Sequence, residues 1–209
     1  MRSPAAPRPR VLLATAALAA VAAVGAAVDV PIAPAASADA SACGQSFAQH
    51  FLPWKDSAYY TLADGGDAET GAVGWTLAGA EPVAGGSPHR GGVSADTSFR
   101  IAPGGSITTP PICVTDAHRT MRFFSRVASG TAKDSLRVEL IVSDAGKKEV
   151  REMAKLSPGT SWHPTKVVSL DTSLFGVDPS SPTAEVHLRI RSVTATVQVD
   201  DVFVDPRLR

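Results

Sequence analysis

Long apolar runs, cysteines and charge of one sign are all scarce in this chain. Only Val11 to Val28 stays apolar and uncharged for as many as eighteen residues. No later run approaches the roughly 20 apolar residues of a spanning helix, which excludes a transmembrane segment beyond that point. Two cysteines occur in 209 residues, Cys43 and Cys113, and neither belongs to a CxxC pair, which argues against zinc-thiolate and dithiol redox sites. Twenty Lys and Arg against twenty Asp and Glu leave no bulk charge to draw in nucleic acid or an anionic membrane. Catalytic signatures are missing too. The five histidines lack HxH or HExxH spacing, and there is neither a GxSxG elbow nor a phosphate loop ending in Lys-Ser/Thr. The balance is against an enzyme.

What the N-terminus does contain is an address. Arg2, Arg8 and Arg10 precede the Ala-rich run, and small-residue sites end at Ala38 and Ala40. This is the form of a secretory signal peptide over residues 1–40, followed by a single domain over 41–209. Removing the first 40 of 209 residues leaves 169, enough for one full core. The expected location is secreted, extracellular or in the cell envelope. In such an oxidising compartment two cysteines allow one connectivity, so a Cys43–Cys113 disulfide is expected, contributing about 4 kcal/mol by loop entropy.

Alternation with a period of two dominates the remainder. Val186, Leu188 and Ile190 alternate with Glu185, His187, Arg189 and Arg191; Leu136, Val138, Leu140 and Val142 share one face; Met121, Phe123 and Val127 alternate with Arg122, Phe124 and Arg126. Further strands are expected at 58–62, 74–78, 94–101, 106–109, 112–115, 147–153, 165–170 and 194–204. Gly-Gly and Pro-containing turns separate them. Short strands at this spacing predict an all-β, two-layer antiparallel sandwich with little helix. Helical turns are expected only near 46–52 and 172–175.

The closing run Thr196–Pro206 (TVQVDDVFVDP) holds two adjacent aspartates among alternating valines. Regular alternation puts Asp200 on the same face as Val202 and Val204. A buried carboxylate costs several kcal/mol unless compensated, so Asp200 needs a cation, a basic partner or backbone donors.

Three passages in order, LADGGDAETGAVGW, VSADTSFRIAPGGSITTPPICV and VDDVFVDP, resemble the galactose-binding-like jelly-roll domains, above all carbohydrate-binding modules of polysaccharide hydrolases. The opening phrase of that family, GxFExGxxGW, is matched by Gly66, Glu69, Gly71, Gly74 and Trp75, with Ala68 at the aromatic position. Its closing IDDVxV strand is matched by Val199 to Val204. The chain also looks like a group of exported actinobacterial proteins of unknown function that share this plan and the paired cysteines. The resemblance implies a jelly roll, and a structural calcium held by Glu69 and Asp200.

Two functions compete at this level. One is a non-catalytic module binding a polysaccharide or cell-envelope polymer, the other a structural or protein–protein interaction domain of the cell surface. For the first, Tyr60 and Trp162 are candidate exposed plates for a pyranose ring. Arg122, Phe124 and Arg126, with Arg137, His187, Arg189 and Arg191, form a candidate basic face if their strands share a sheet. Glu139 and Glu185 are expected to be surface charges.

Overall fold

Among the described residues ten strands form: β1 (Thr61–Leu62), β2 (Thr76–Ala84), β3 (Thr97–Thr108), β4 (His118–Ser129), β5 (Leu136–Asp144), β6 (Lys147–Leu156), β7 (His163–Pro164), β8 (Val168–Ser169), β9 (Glu185–Ser192) and β10 (Thr196–Pro206). In this computed structural model the described residues are 46–89, 96–112, 118–171, 175–176 and 183–206. Residues 1–45 lie wholly outside that set. So do the expected signal peptide and both members of the expected Cys43–Cys113 pair. The helical signal near 46–52 becomes one 3-10 turn, Leu52–Trp54, started by Pro53 and stopped by Lys55 at φ 62°.

The fold is an all-β, antiparallel, two-layer sandwich of jelly-roll type. Hydrogen bonding runs through both layers in the order β6-β5-β9-β3-β10-β4-β7, with β1 on β10, β2 on β3 and β8 on β4. The first layer holds β1, β10, β4, β7, β8 and the start of β3; the second holds the end of β3, β9, β5 and β6.

One bend joins the layers. Phe99 and Ile101 of β3 pair with β10, whereas Ser106, Ile107 and Thr108 pair with β9. The Pro103-Gly104-Gly105 passage, which reads as a turn between two strands, is therefore a corner within one. Strand β2 bends with it, through a bulge between Ala78 and Ala80. Glycine is required there by space: a Cβ on Gly105 would lie 2.5 Å from the Gly79 carbonyl oxygen and 2.8 Å from that of Ala78.

Inward residues fill the space between layers. Phe99, Ile101, Met121, Phe123, Val197, Val199, Val202 and Val204 pack with Leu136, Val138, Leu140, Val142, Val186, Leu188 and Ile190. Each such side chain, fully buried, contributes roughly 1.5–3 kcal/mol.

A second, smaller cluster lies outside the first layer. Phe51 and Tyr60, from the segment preceding β1, close over Phe124, Phe203 and Trp162. This segment acts as a strap. It is tied to itself by the Ala48–Tyr60 bridge and to β4 by an ion pair between Asp56 and Arg122.

Candidate functional site

The expected basic face does not assemble. Strand β4 belongs to the first layer and strands β5 and β9 to the second, with β10 and β3 between them. Arg122, Phe124, Arg126, Tyr60 and Trp162 do converge on one outer face, but Arg189 lies apart on β9, paired with Glu139. Nor are the aromatics exposed plates. Phe124 and Tyr60 are each 1% exposed and Trp162 8%, because Phe51 of the strap stacks on Phe124 at 5.5 Å and meets Tyr60 edge-on at 4.9 Å.

Arg122 is equally committed, at 7% exposure. Its Nε donates to the Thr165 carbonyl at 2.8 Å, its Nη1 donates to Asp56 Oδ2 at 2.8 Å, and its guanidinium lies 4.4 Å above the Phe51 ring. The Tyr60 hydroxyl donates to the same Asp56 oxygen. Burial would raise the Asp56 carboxyl, but the Ala58 N–H, Tyr60 and Arg122 together hold it below the usual carboxylate value. Burial, followed by Asp56, pushes the Tyr60 phenol far up.

Beyond the strap the face opens at Glu81 and Arg100, while Gln198 between them and Arg126 is only 6% exposed, its Nε2 donating to Ser98 Oγ at 3.3 Å. In register across β2, β3, β10 and β4 stand Glu81, Arg100, Gln198 and Arg126. Arg100 pairs with Glu81; Arg126 Nε donates to Gln198 Oε1 at 2.7 Å; and the Arg126 guanidinium lies 5.0 Å from the Trp162 ring centre. Alongside this row runs an open groove of about 710 Å³. Gly79, Ala80, Ala102 and Ala128 are its small residues, Ser129 and Thr196 bring hydroxyls, and Glu81 and Arg100 supply charge. Of these groups sequence reasoning singled out only Arg126 and Trp162. Arg100, Glu81 and Gln198 stand out only once the strands are placed side by side.

Asp200 is fully buried, but not on the expected face. Asp200 pairs with Phe124 and Phe203 with Arg122, so Asp201 and Val202 together oppose Phe123. This bulge, with Asp201 at φ 49°, inserts one residue and shifts the alternation. Val202 and Val204 stay inside, while Asp200 turns to the outer face with Phe124. Of the three forms of compensation expected, the structure supplies backbone donors: Ser87 N–H to Oδ2 at 2.6 Å and Asp201 N–H to Oδ1 at 2.8 Å. They do not offset the rest. Burial, then the neighbouring Asp201, push the Asp200 carboxyl up to about 8, and Glu69 adds to the rise.

The opening and closing phrases meet at this bulge. Ala63 N–H donates to the Val202 carbonyl, and Val202 N–H donates to the Gly66 carbonyl. A Cβ on Gly66 would sit 2.9 Å from the Val202 carbonyl oxygen, so the approach needs glycine. Trp75 fixes the far side of the loop by donating from Nε1 to the Asp64 carbonyl at 2.7 Å. Glu69 stays at the surface, where Oε1 accepts from Thr97 N–H.

No family model matches the chain, and a search of curated proteins finds no significant relative. Several solved structures are similar to it. The CBM22-1 xylan-binding domain from Paenibacillus barcinonensis Xyn10C aligns at 12% identity over 63% of this chain and 85% of that one, with a TM-score of 0.46. A TmCBM61 structure in complex with β-1,4-galactotriose aligns at 11% identity over 70% and 98%, TM-score 0.39. The family 11 carbohydrate-binding module from Clostridium thermocellum, in complex with a β-1,3-1,4-mixed-linked tetrasaccharide, aligns at 12% over 72% and 97%, TM-score 0.44. Identities this low leave the binding chemistry to the residues of this chain.

Proposed function

We propose that the chain is a non-catalytic carbohydrate-binding domain, exported, whose glycan-contact surface is the open groove beside Glu81, Arg100, Gln198 and Arg126. The observation that carries this is the register of those four side chains across four strands. Sugar hydroxyls both donate and accept, and the exposed Glu81 carboxylate and Arg100 guanidinium offer both capacities at the groove, while buried Gln198 braces Arg126 beside them. The small residues of the groove leave room for a chain to lie along it. Among the described residues, no helix is long and apolar enough to cross a membrane.

A structural calcium belongs to the same proposal. Asp200 is fully buried and the charges of Asp201 and Glu69 both act on its carboxyl, so its surroundings are oxygen-rich and negative. That suits a hard divalent cation. Asp200 and Glu69 would hold it. Among the described residues no three Asp, Glu, His or Cys side chains converge as a metal-binding group, so backbone carbonyls and water would complete the shell.

The test is retention on a panel of soluble and insoluble polysaccharides with calcium present. Binding by the parent, weakened tenfold or more by Arg100→Ala and Glu81→Ala, is the expected result; no retention on any neutral or acidic polymer overturns it. The burial of Tyr60, Phe124 and Trp162 favours the second reading, a structural or protein-interaction domain, and that is what uniform non-retention would leave.

A further inference from the structure

A second cavity, of about 380 Å³, shares no lining residue with the groove. It forms where the chain leaves β6 in one layer and crosses to the edge of β4 in the other. Its lining combines three kinds of group. Leu156 and Pro164 give an apolar wall, and Ser125 and Thr165 bring hydroxyls from buried positions. Lys155, Lys166 and His163 bring basic nitrogen, against one carboxylate, Asp134.

The crossing segment is held in place. The Gly159 carbonyl accepts from Val127 N–H at 2.8 Å, Ser157 Oγ accepts from Asp134 N–H at 2.8 Å, and the Trp162 carbonyl lies 3.3 Å from His89 Nε2. The cavity is thus formed without a ligand, and its size suits a single sugar unit.

We infer that this pocket is a separate binding site for an anionic sugar unit, a polyol ring or chain bearing a carboxylate or a phosphate. An apolar wall suits the C–H face of such a unit, and the hydroxyls suit its rim. The basic groups exceed what a neutral sugar requires. Among the described residues Lys155 meets one carboxylate, Glu152, at a loose 3.8 Å on the surface. Among the described residues Lys166 has no acidic partner. Ammonium groups in this setting act as point charges toward an anion, with strong dependence on salt. The inference adds a ligand class to the carbohydrate-binding reading but uses none of the groove's residues, so either stands without the other.

The experiment titrates the intact exported chain with trigalacturonate, with its full methyl ester and with sn-glycerol 3-phosphate, by calorimetry and by amide chemical shifts. Trigalacturonate should shift the Gly159, His163 and Lys166 amides and bind at least tenfold more tightly than the uncharged ester. The double variant Lys155→Ala/Lys166→Ala should lose that preference, whereas Arg100→Ala should keep it. Tighter binding of glycerol phosphate at the same amides supports the anion pocket and assigns its natural ligand to phosphate polymers. The inference is overturned if neither anion moves these amides, or if the double variant binds both as tightly as the parent. Both lysines are exposed, so the variants should fold.

Discussion

Arg122 shows how far a single side chain departs from its local pattern. Alternation with Met121 and Phe123 places it outside the main core, which is correct, and suggests solvent, which is not. The strap that covers it lies more than sixty residues earlier, and nothing within β4 announces that partner. Tyr60 was masked in the same way, since its burial depends on Phe51 and Phe203 rather than on its neighbours. Removing one member of a buried ion pair leaves the other charge uncompensated, which costs about 3–5 kcal/mol. Asp56→Ala should therefore destabilise the fold by about 3 kcal/mol in urea unfolding. Tyr60→Phe, which deletes one hydrogen bond to the same carboxylate, should cost about 1 kcal/mol. A loss below 1 kcal/mol for Asp56→Ala would show that the strap is not held by this pair.

At the level of strands, positions were legible in the sequence and departures from regularity were not. The alternating runs of β4, β5, β9 and β10 appear where expected, because a half-buried strand must alternate. Two irregularities changed what those strands present. The bulge at Asp201 turns Asp200 to the face opposite the one regular alternation gives; aspartate tolerates positive φ better than most residues, but two adjacent aspartates do not say which of them adopts it. At β3, Gly104 and Gly105 were visible as punctuation, but whether they end a strand or bend it depends on β2 bending alongside. The two glycines differ in a testable way. A Cβ on Gly105 meets three backbone carbonyl oxygens, those of Gly79, Ala78 and Ala102, at 2.5, 2.8 and 3.0 Å. None of these is a flexible side chain that can step aside. Gly105→Ala should cost about 3 kcal/mol, the upper end for overpacking. Gly104 sits at φ 79° with nothing within 4 Å of an added Cβ, so Gly104→Ala should cost only about 1–2 kcal/mol, the left-handed penalty alone. Equal losses in thermal unfolding would refute the shared corner.

For the whole molecule, two aspartates shifted in opposite directions set opposite limits on stability. Asp56 has a lowered carboxyl in the fold, so its contribution is present above the ordinary value of 3.8 and is lost as pH falls through the folded value. Asp200 works the other way. With its folded value near 8 against 3.8, the fold holds a proton that the unfolded chain has released. Stability from this group is complete below 3.8 and declines as pH rises toward 8. Without a cation, the melting temperature should thus be highest in mildly acid solution and fall between pH 5 and pH 8. Bound calcium would keep Asp200 ionised and remove that decline. At a calcium concentration one hundred times its Kd, the gain is about 2.7 kcal/mol, or about 5–10 °C for a domain of this size. Melting curves from pH 5 to pH 8, in chelator and in calcium, should therefore diverge as pH rises. Asp200→Asn should give one flat curve in both conditions, since the amide neither titrates nor supplies a charged ligand. If the parent's curves coincide across the range, the carboxylates at the bulge are compensated by the protein alone, and the resemblance extends to the fold without its ion.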